Sequence, residues 1–152
     1  MIKILFVCHG NICRSTMAEY MMKYLVDKEG LSDLFMIDSC AVSREEIGNP
    51  IYPQAKAKLQ KEGIPVGNHR ARQFTSEDYE SFDYIVCMDE SNMYRLMKMT
   101  NDDPMHKCRK LLSFVSSKGD VSDPWWSDDF DTAYKDINRG ILGLFDTLKN
   151  NL

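Results

Sequence analysis

The chain has 152 residues, 43% of them hydrophobic, which suits one domain with a buried core and gives no sign of a second. With 19 Lys and Arg against 23 Asp and Glu, the formal net charge is −4. That balance argues against binding bulk nucleic acid or an anionic membrane through overall charge, so any affinity for phosphate must be local. Five cysteines (Cys8, Cys13, Cys40, Cys87 and Cys108) form an odd set with no signal peptide ahead of them. No apolar run approaches the roughly 20 residues needed to span a bilayer. Reduced thiols in a cytoplasmic protein are therefore expected, with Cys40, Cys87 and Cys108 packed beside apolar stretches.

Ile2 to Val7 is almost entirely apolar, as expected of a strand buried on both faces in a parallel sheet. The next residues run Cys8-His9-Gly10-Asn11-Ile12-Cys13-Arg14-Ser15. A strand ending at Cys8 and a helix beginning near Arg14 leave five residues to close a tight loop. Such a loop turns its backbone N–H groups inward, and stacked on a helix N-terminus they form a nest for a phosphate-sized dianion. Arg14 at the far end can add a two-pronged contact to two phosphate oxygens. The same positive field favours the thiolate of Cys8, a nucleophile placed beneath the phosphorus.

A helix is predicted from Arg14 to about Glu29, with Met17, Met21, Tyr24 and Leu25 on its core face and Gly30 as a stop. Leu34 to Ser39 reads as a second strand, and Ser43 to Tyr52 as a polar loop. Pro53 opens a short helix closed by Gly63. Asn68 to Gln73 is a basic turn, and Thr75 to Tyr79 one capped helical turn. Asp83 to Met88 is a third strand, Ser91 to Met99 a helix, and Lys110 to Val115 a fourth strand. Ser116 to Asp129 is a polar loop interrupted by Pro124-Trp125-Trp126, long enough to suggest a functional reason. Phe130, Tyr134, Ile137, Ile141, Phe145 and Leu148 keep helical spacing to the end, while Gly140 and Gly143 each weaken that helix by about 1 kcal/mol. The sum is an α/β fold: a doubly wound, open, four-stranded parallel sheet with helices on both faces and the phosphate loop after the first strand.

The Cys-x5-Arg-Ser motif after a first strand, with Asp123-Pro124 and two aromatics far downstream, resembles the low-molecular-weight protein tyrosine phosphatases. Ile37-Asp38-Ser39, His69-Arg70-Ala71-Arg72-Gln73 and Asp83-Tyr84-Ile85-Val86-Cys87-Met88-Asp89-Glu90 match the family in order and spacing, so the likeness runs through nearly the whole chain. It implies hydrolysis of phosphotyrosine in protein substrates through a cysteinyl phosphate. Cys8 would be the nucleophile, Arg14 the phosphate clamp and Asp123 the general acid and then base. Inorganic phosphate would be product and inhibitor, no cofactor or metal would be needed, and the chain would be monomeric or weakly self-associating. His9, Gly10, Asn11, Ile12 and Cys13 would complete the phosphate loop. By the same resemblance Ser15 would hydrogen-bond the thiolate, Asn11 would prop the loop with His69 behind it, and Asp89 would orient Arg14. Trp125, Trp126 and Glu45 would border the substrate. Cys13 would pair with an oxidised Cys8 and so protect it from further oxidation.

Each residue also has a plainer reading. Asp123-Pro124 is a common turn initiator, and Asp89 can be the N-cap of the following helix. Asn11 and Ser15 can be turn or cap residues, and His69 a lone surface histidine. The tryptophans can be a pocket wall, an anchor for a partner, or core. A zinc site of Cys8, Cys13 and a histidine lacks a second cysteine pair. A thiol-dependent arsenate reductase on the same fold would need two further cysteines. Cys87 lies near one of those positions, but the stretch after it holds no partner. A phosphoprotein-binding module without turnover would be marked by loss of Cys8 or Asp123, and both are present. His9 and Glu45 make the entrance more polar than in the family at large. Thr16 in place of the usual proline, and Cys40-Ala41 in place of Ala-Gly, touch no proposed chemical role.

Overall fold

Successive side chains of a strand point to opposite sides of its sheet, so an unbroken apolar run needs a core on each side. In the computed structural model, which describes residues 1–115 and 119–152, the first strand, β1 (Ile2–Cys8), meets that demand. Ile4 and Phe6 pack with Met17, Leu59 and Ile141 on one side, and Leu5 and Val7 with Tyr79, Phe82 and Leu96 on the other. The parallel sheet is ordered β2-β1-β3-β4, with β2 at Phe35–Ala41, β3 at Tyr84–Cys87 and β4 at Cys108–Lys110.

Helices α1 (Arg14–Lys28), α2 (Pro53–Lys61) and α6 (Phe130–Lys149) supply the first core. The short α3 (Ser76–Ser81) and α4 (Glu90–Met99) supply the second. The chain leaves β1 toward β2 and later returns to its other side with β3, so Cys8 ends a strand where the winding reverses. Crevices form there in open α/β sheets.

Three expectations need correction. The fourth strand does not cover Lys110 to Val115: it ends at Lys110, and Leu111–Val115 coil into a 3-10 helix. The turn packs closely on α6. A Cβ at Gly140 would come within 2.4 Å of Leu111, and one at Gly143 within 2.4 Å of Val115 and 2.7 Å of the Phe114 carbonyl. The two glycines thus weaken α6 intrinsically but let this turn settle directly on it. Leu34 belongs to a 3-10 turn, Ser32–Leu34, and β2 continues past Ser39 to Ala41. The long polar loop begins at residues 116–118, which lie outside the described residues. Its remainder is anchored by Val121, whose N–H donates to Met88 O at 2.9 Å, and contains a helical turn, α5 (Pro124–Ser127). Among the described residues, no helix is long and apolar enough to cross a membrane.

Candidate active site

The first turns of α1 are buried, polar residues included: Arg14, Ser15, Thr16 and Glu19 are all at most 3% exposed. Buried polar groups require partners, and following those partners leads into the loop. Cys8 lies at its base, with the backbone N–H of Asn11 donating to its sulfur at 3.3 Å and the Ser15 hydroxyl 3.0 Å away. Asn11 Nδ2 donates to that hydroxyl oxygen at 2.8 Å, which leaves the hydroxyl hydrogen to point at sulfur. Asn11 adopts φ 63°, the left-handed region that Asn tolerates better than most residues, and Thr16 Oγ1 ties down its carbonyl at 3.0 Å. Helix α1 begins without a side-chain cap and without an acid in its first turn. Its leading amides therefore reach the pocket unclaimed by side chains, where an anion can cap them.

Arg14 is 3% exposed, a cation held inside the protein by three acceptors. Nη2 meets Asp89 Oδ2 at 2.9 Å and Asp123 Oδ2 at 3.5 Å, and Nη1 donates to Val121 O at 3.0 Å. Burial works against its charge, but Cys8, Asp123 and Asp89 more than offset that and raise its pKa. Asp89 divides its oxygens between two partners. Oδ2 meets Arg14, while Oδ1 accepts the Asn92 N–H at 2.8 Å in a reciprocal capping box at the start of α4. Asp123 divides its oxygens the same way: Oδ1 caps α5 through Trp125 N–H at 3.0 Å, and Oδ2 faces Arg14. Pro124, which disfavours the helical region for the residue before it, leaves Asp123 extended at φ −95° and ψ 105°.

Behind the loop, Asn11 donates to Ser39 Oγ at 2.9 Å and accepts from His69 Nε2 at 2.8 Å and Arg72 N–H at 3.2 Å. The other ring nitrogen of His69 faces Asp38 at 3.3 Å and Glu19 at 3.5 Å. Ser39 donates to Glu19 at 2.6 Å, and Lys23 pairs with the second Glu19 oxygen at 2.6 Å. Glu19, Asp38 and His69 stand close enough to share a metal ion, but these contacts already engage the same atoms. Burial raises the pKa of Asp38, yet hydrogen bonds from His69 and the Ser39 N–H, with the charge of Arg72, outweigh it and bring the carboxyl to about 2. His69 is thus far from a lone surface histidine.

The rim is built differently. His9 Nε2 meets Glu45 Oε2 at 2.8 Å, so the two residues expected to make the entrance polar engage one another. Trp125 rests edge-on against Tyr52 at 5.4 Å between ring centres, while Trp126 is 84% exposed. Neither is core. Both border the cavity of about 470 Å³ above Cys8. Glu46, Ser91, Asn92 and Arg95 line the same cavity and were not anticipated. The available signal was that Ser91 and Arg95 sit four apart on the helix after Asp89 and so share a face. All five cysteines are free. Burial foremost, then the charges of Cys8 and Asp123, pushes the Cys13 thiol up to about 12. Cys40 and Cys87 are fully buried and Cys108 partly so, and burial raises all three.

A sulfur receiving two donors, set under open amides and beside a buried guanidinium, is equipped to attack phosphorus. Fold and loop together define a class, the cysteine-dependent phosphohydrolases. The sequence model of the low molecular weight phosphotyrosine protein phosphatases matches residues 3–152. The human phosphatase of that name is 38% identical over 143 residues, which is 90% of this chain and 89% of the human one. The crystal structure of YfkJ from Bacillus subtilis superimposes with a TM-score of 0.95 at 35% identity, covering 99% of this chain and 96% of the other. A Drosophila arginine phosphatase follows the same fold, with a TM-score of 0.89 at 31% identity over 97% of this chain and 98% of its own. The chain belongs to the low molecular weight phosphotyrosine protein phosphatase family, and is thereby a cysteine-dependent protein tyrosine phosphatase.

Proposed function

We propose that the chain works as one domain on phosphotyrosine in protein substrates, with Cys8 as nucleophile, Arg14 as phosphate clamp and Asp123 as proton carrier. The observation that carries this reading is the sulfur of Cys8, hydrogen-bonded by Asn11 N–H and placed against Ser15 Oγ at the floor of a cavity bordered by two tryptophans. In the first step the thiolate attacks phosphorus, the S–P bond forms and the P–O bond to the phenol breaks. Asp123 gives its proton to the departing oxygen. Arg14 and the loop amides of Gly10, Ile12 and their neighbours hold the equatorial oxygens as their charge is redistributed. In the second step Asp123, now a carboxylate, takes a proton from water as that water attacks phosphorus. The S–P bond breaks, the thiolate returns and inorganic phosphate leaves, free to rebind as an inhibitor.

Depth and aromatic walls favour a phosphorylated phenol over the shorter phosphoserine, since paired indoles can hold a ring that reaches down to Cys8. The arginine phosphatase among the structural neighbours supplies the competing substrate. The discriminating measurement is kcat/KM on phosphotyrosine and phosphoarginine peptides of matched sequence. Preference for phosphotyrosine supports this reading, and preference for phosphoarginine overturns it. The same reading places the enzyme in the cytoplasm as a monomer or weak self-associate. There peroxide would convert the Cys8 thiolate to a sulfenic acid, releasing hydroxide. The Cys13 thiol would then displace water to form a Cys8–Cys13 disulfide, reversible by thiols.

A further inference from the structure

The mouth of the cavity carries charge that the hydrolysis does not use. Arg95 stands on α4 one turn beyond Ser91, and both line the cavity. Arg95 is exposed and makes no hydrogen bond or ion pair among the described residues. The acids at the start of its own helix are already engaged, Asp89 by Arg14 at 2.9 Å and Glu90 by Lys110 at 2.9 Å. Its positive charge is therefore uncompensated at the edge of a substrate cavity.

The opposite flank has the opposite sign. Because β1 lies between β2 and β3, the loop after β2 and the helix after β3 rise on either side of the phosphate loop. The loop after β2 carries Glu45, which His9 meets, and Glu46, whose carboxylate among the described residues is bonded only by the neutral Asn49 side chain, at 2.6 Å. Glu46 presses close over the phosphate loop, its Cγ 3.3 Å from where a Cβ on Gly10 would stand. The mouth thus presents an unpaired guanidinium on one side and a carboxylate without a cationic partner on the other.

We propose that Arg95 sets sequence preference by binding a carboxylate side chain next to the phosphorylated tyrosine, while Glu46 disfavours acid on the far side. This rests on the phosphotyrosine reading above. A guanidinium suits a carboxylate because its planar fork matches the two oxygens, and the Ser91 hydroxyl four residues earlier adds a donor on the same face. Both partners remain in contact with water, so the gain is modest, about two- to fivefold in kcat/KM.

The test measures kcat/KM on phosphotyrosine peptides that carry a neutral residue, Asp or Lys at one flanking position at a time. The enzymes are wild type, Arg95→Gln and Arg95→Glu. Wild type is expected to favour Asp over neutral at one flank by about two- to fivefold, a ratio that shrinks as salt rises. In Arg95→Gln that ratio falls to about one, and in Arg95→Glu the preference passes to Lys. A general structural role for Arg95 would slow all peptides alike and leave the ratio unchanged, which overturns the proposal. So does a wild-type enzyme that turns over every peptide with no flank preference. If wild type turns over no phosphotyrosine peptide, the substrate reading itself fails and this inference with it.

Discussion

The floor and the rim of the cavity are made of the same kinds of side chain held in different ways. On the floor, Asn11 alone has contacts to Cys8, Ser15, Ser39, His69 and Arg72, and among the described residues no buried side-chain nitrogen or oxygen lacks a partner. On the rim, among the described residues, Arg95 makes no hydrogen bond or ion pair, Trp126 stands in solvent and the Glu45 carboxylate meets only a half-exposed histidine. A satisfied, buried network holds reacting groups in place before substrate arrives, and this is what electrostatic catalysis needs. A loosely held rim gives up little order when different peptides bind. The contrast assigns rate to the floor and choice of substrate to the rim.

The largest effect should come from the residue that spans both regions. Asp123→Ala is expected to lower kcat by about 10²- to 10⁴-fold on phenyl phosphate, whose leaving group needs a proton. The loss should be much smaller on p-nitrophenyl phosphate, so equal losses on both would remove Asp123 as the acid. Asn11→Ala strips the floor of its hub, takes one hydrogen bond each from Ser39 and His69, and removes the acceptor of the Arg72 N–H. It should lower stability by about 2 kcal/mol, or roughly 4 to 8 °C in Tm. An unchanged Tm would show that the floor is not held by this network.

Asp38 offers a pH handle on the same floor. Its folded pKa of about 2 lies below the ordinary 3.8, so as pH falls the unfolded chain binds the proton first. The stability it contributes is complete above 3.8 and is lost as pH falls toward 2. Partial exposure limits it to about 1 kcal/mol. Asp38→Asn should flatten that acid limb in urea melts, and an unaltered limb would deny the coupling to His69 and Arg72. The smallest effect belongs to the rim. Trp126→Ala should raise KM for a phosphotyrosine peptide about threefold with kcat retained, whereas a fall in kcat would move this residue from the rim to the chemistry.

The floor was readable in the sequence because its parts are local: a strand, five residues and a helix start place Cys8, Arg14 and Ser15 whatever the remainder does. Asp123 and Asp89 could be placed only through the family likeness, since an Asp-Pro pair and an Asp before a helix are equally good caps. In the structure each aspartate turns one oxygen to the N–H of a helix start and the other to Arg14. Glu19 escaped notice because helical periodicity assigns a polar residue to solvent, and only the meeting of α1 with β2 buries it at 2% exposure. Arg95 and Glu46 come from distant segments, and their meeting at one mouth depends on strand order. The apolar run after Lys110 has the composition of a strand. The room for its 3-10 turn comes from a pair of glycines some 30 residues away on α6, beyond the reach of any local pattern.

The most direct measurement is rapid quenching of Asp123→Ala during turnover of p-nitrophenyl phosphate, followed by mass spectrometry of the peptides. Removing the base that activates water should let the covalent intermediate accumulate. The account predicts one phosphate bound through an S–P bond as S-phosphocysteine at Cys8 and none in Cys8→Ser. Phosphate found on another residue, or undiminished turnover by Cys8→Ser, would contradict it.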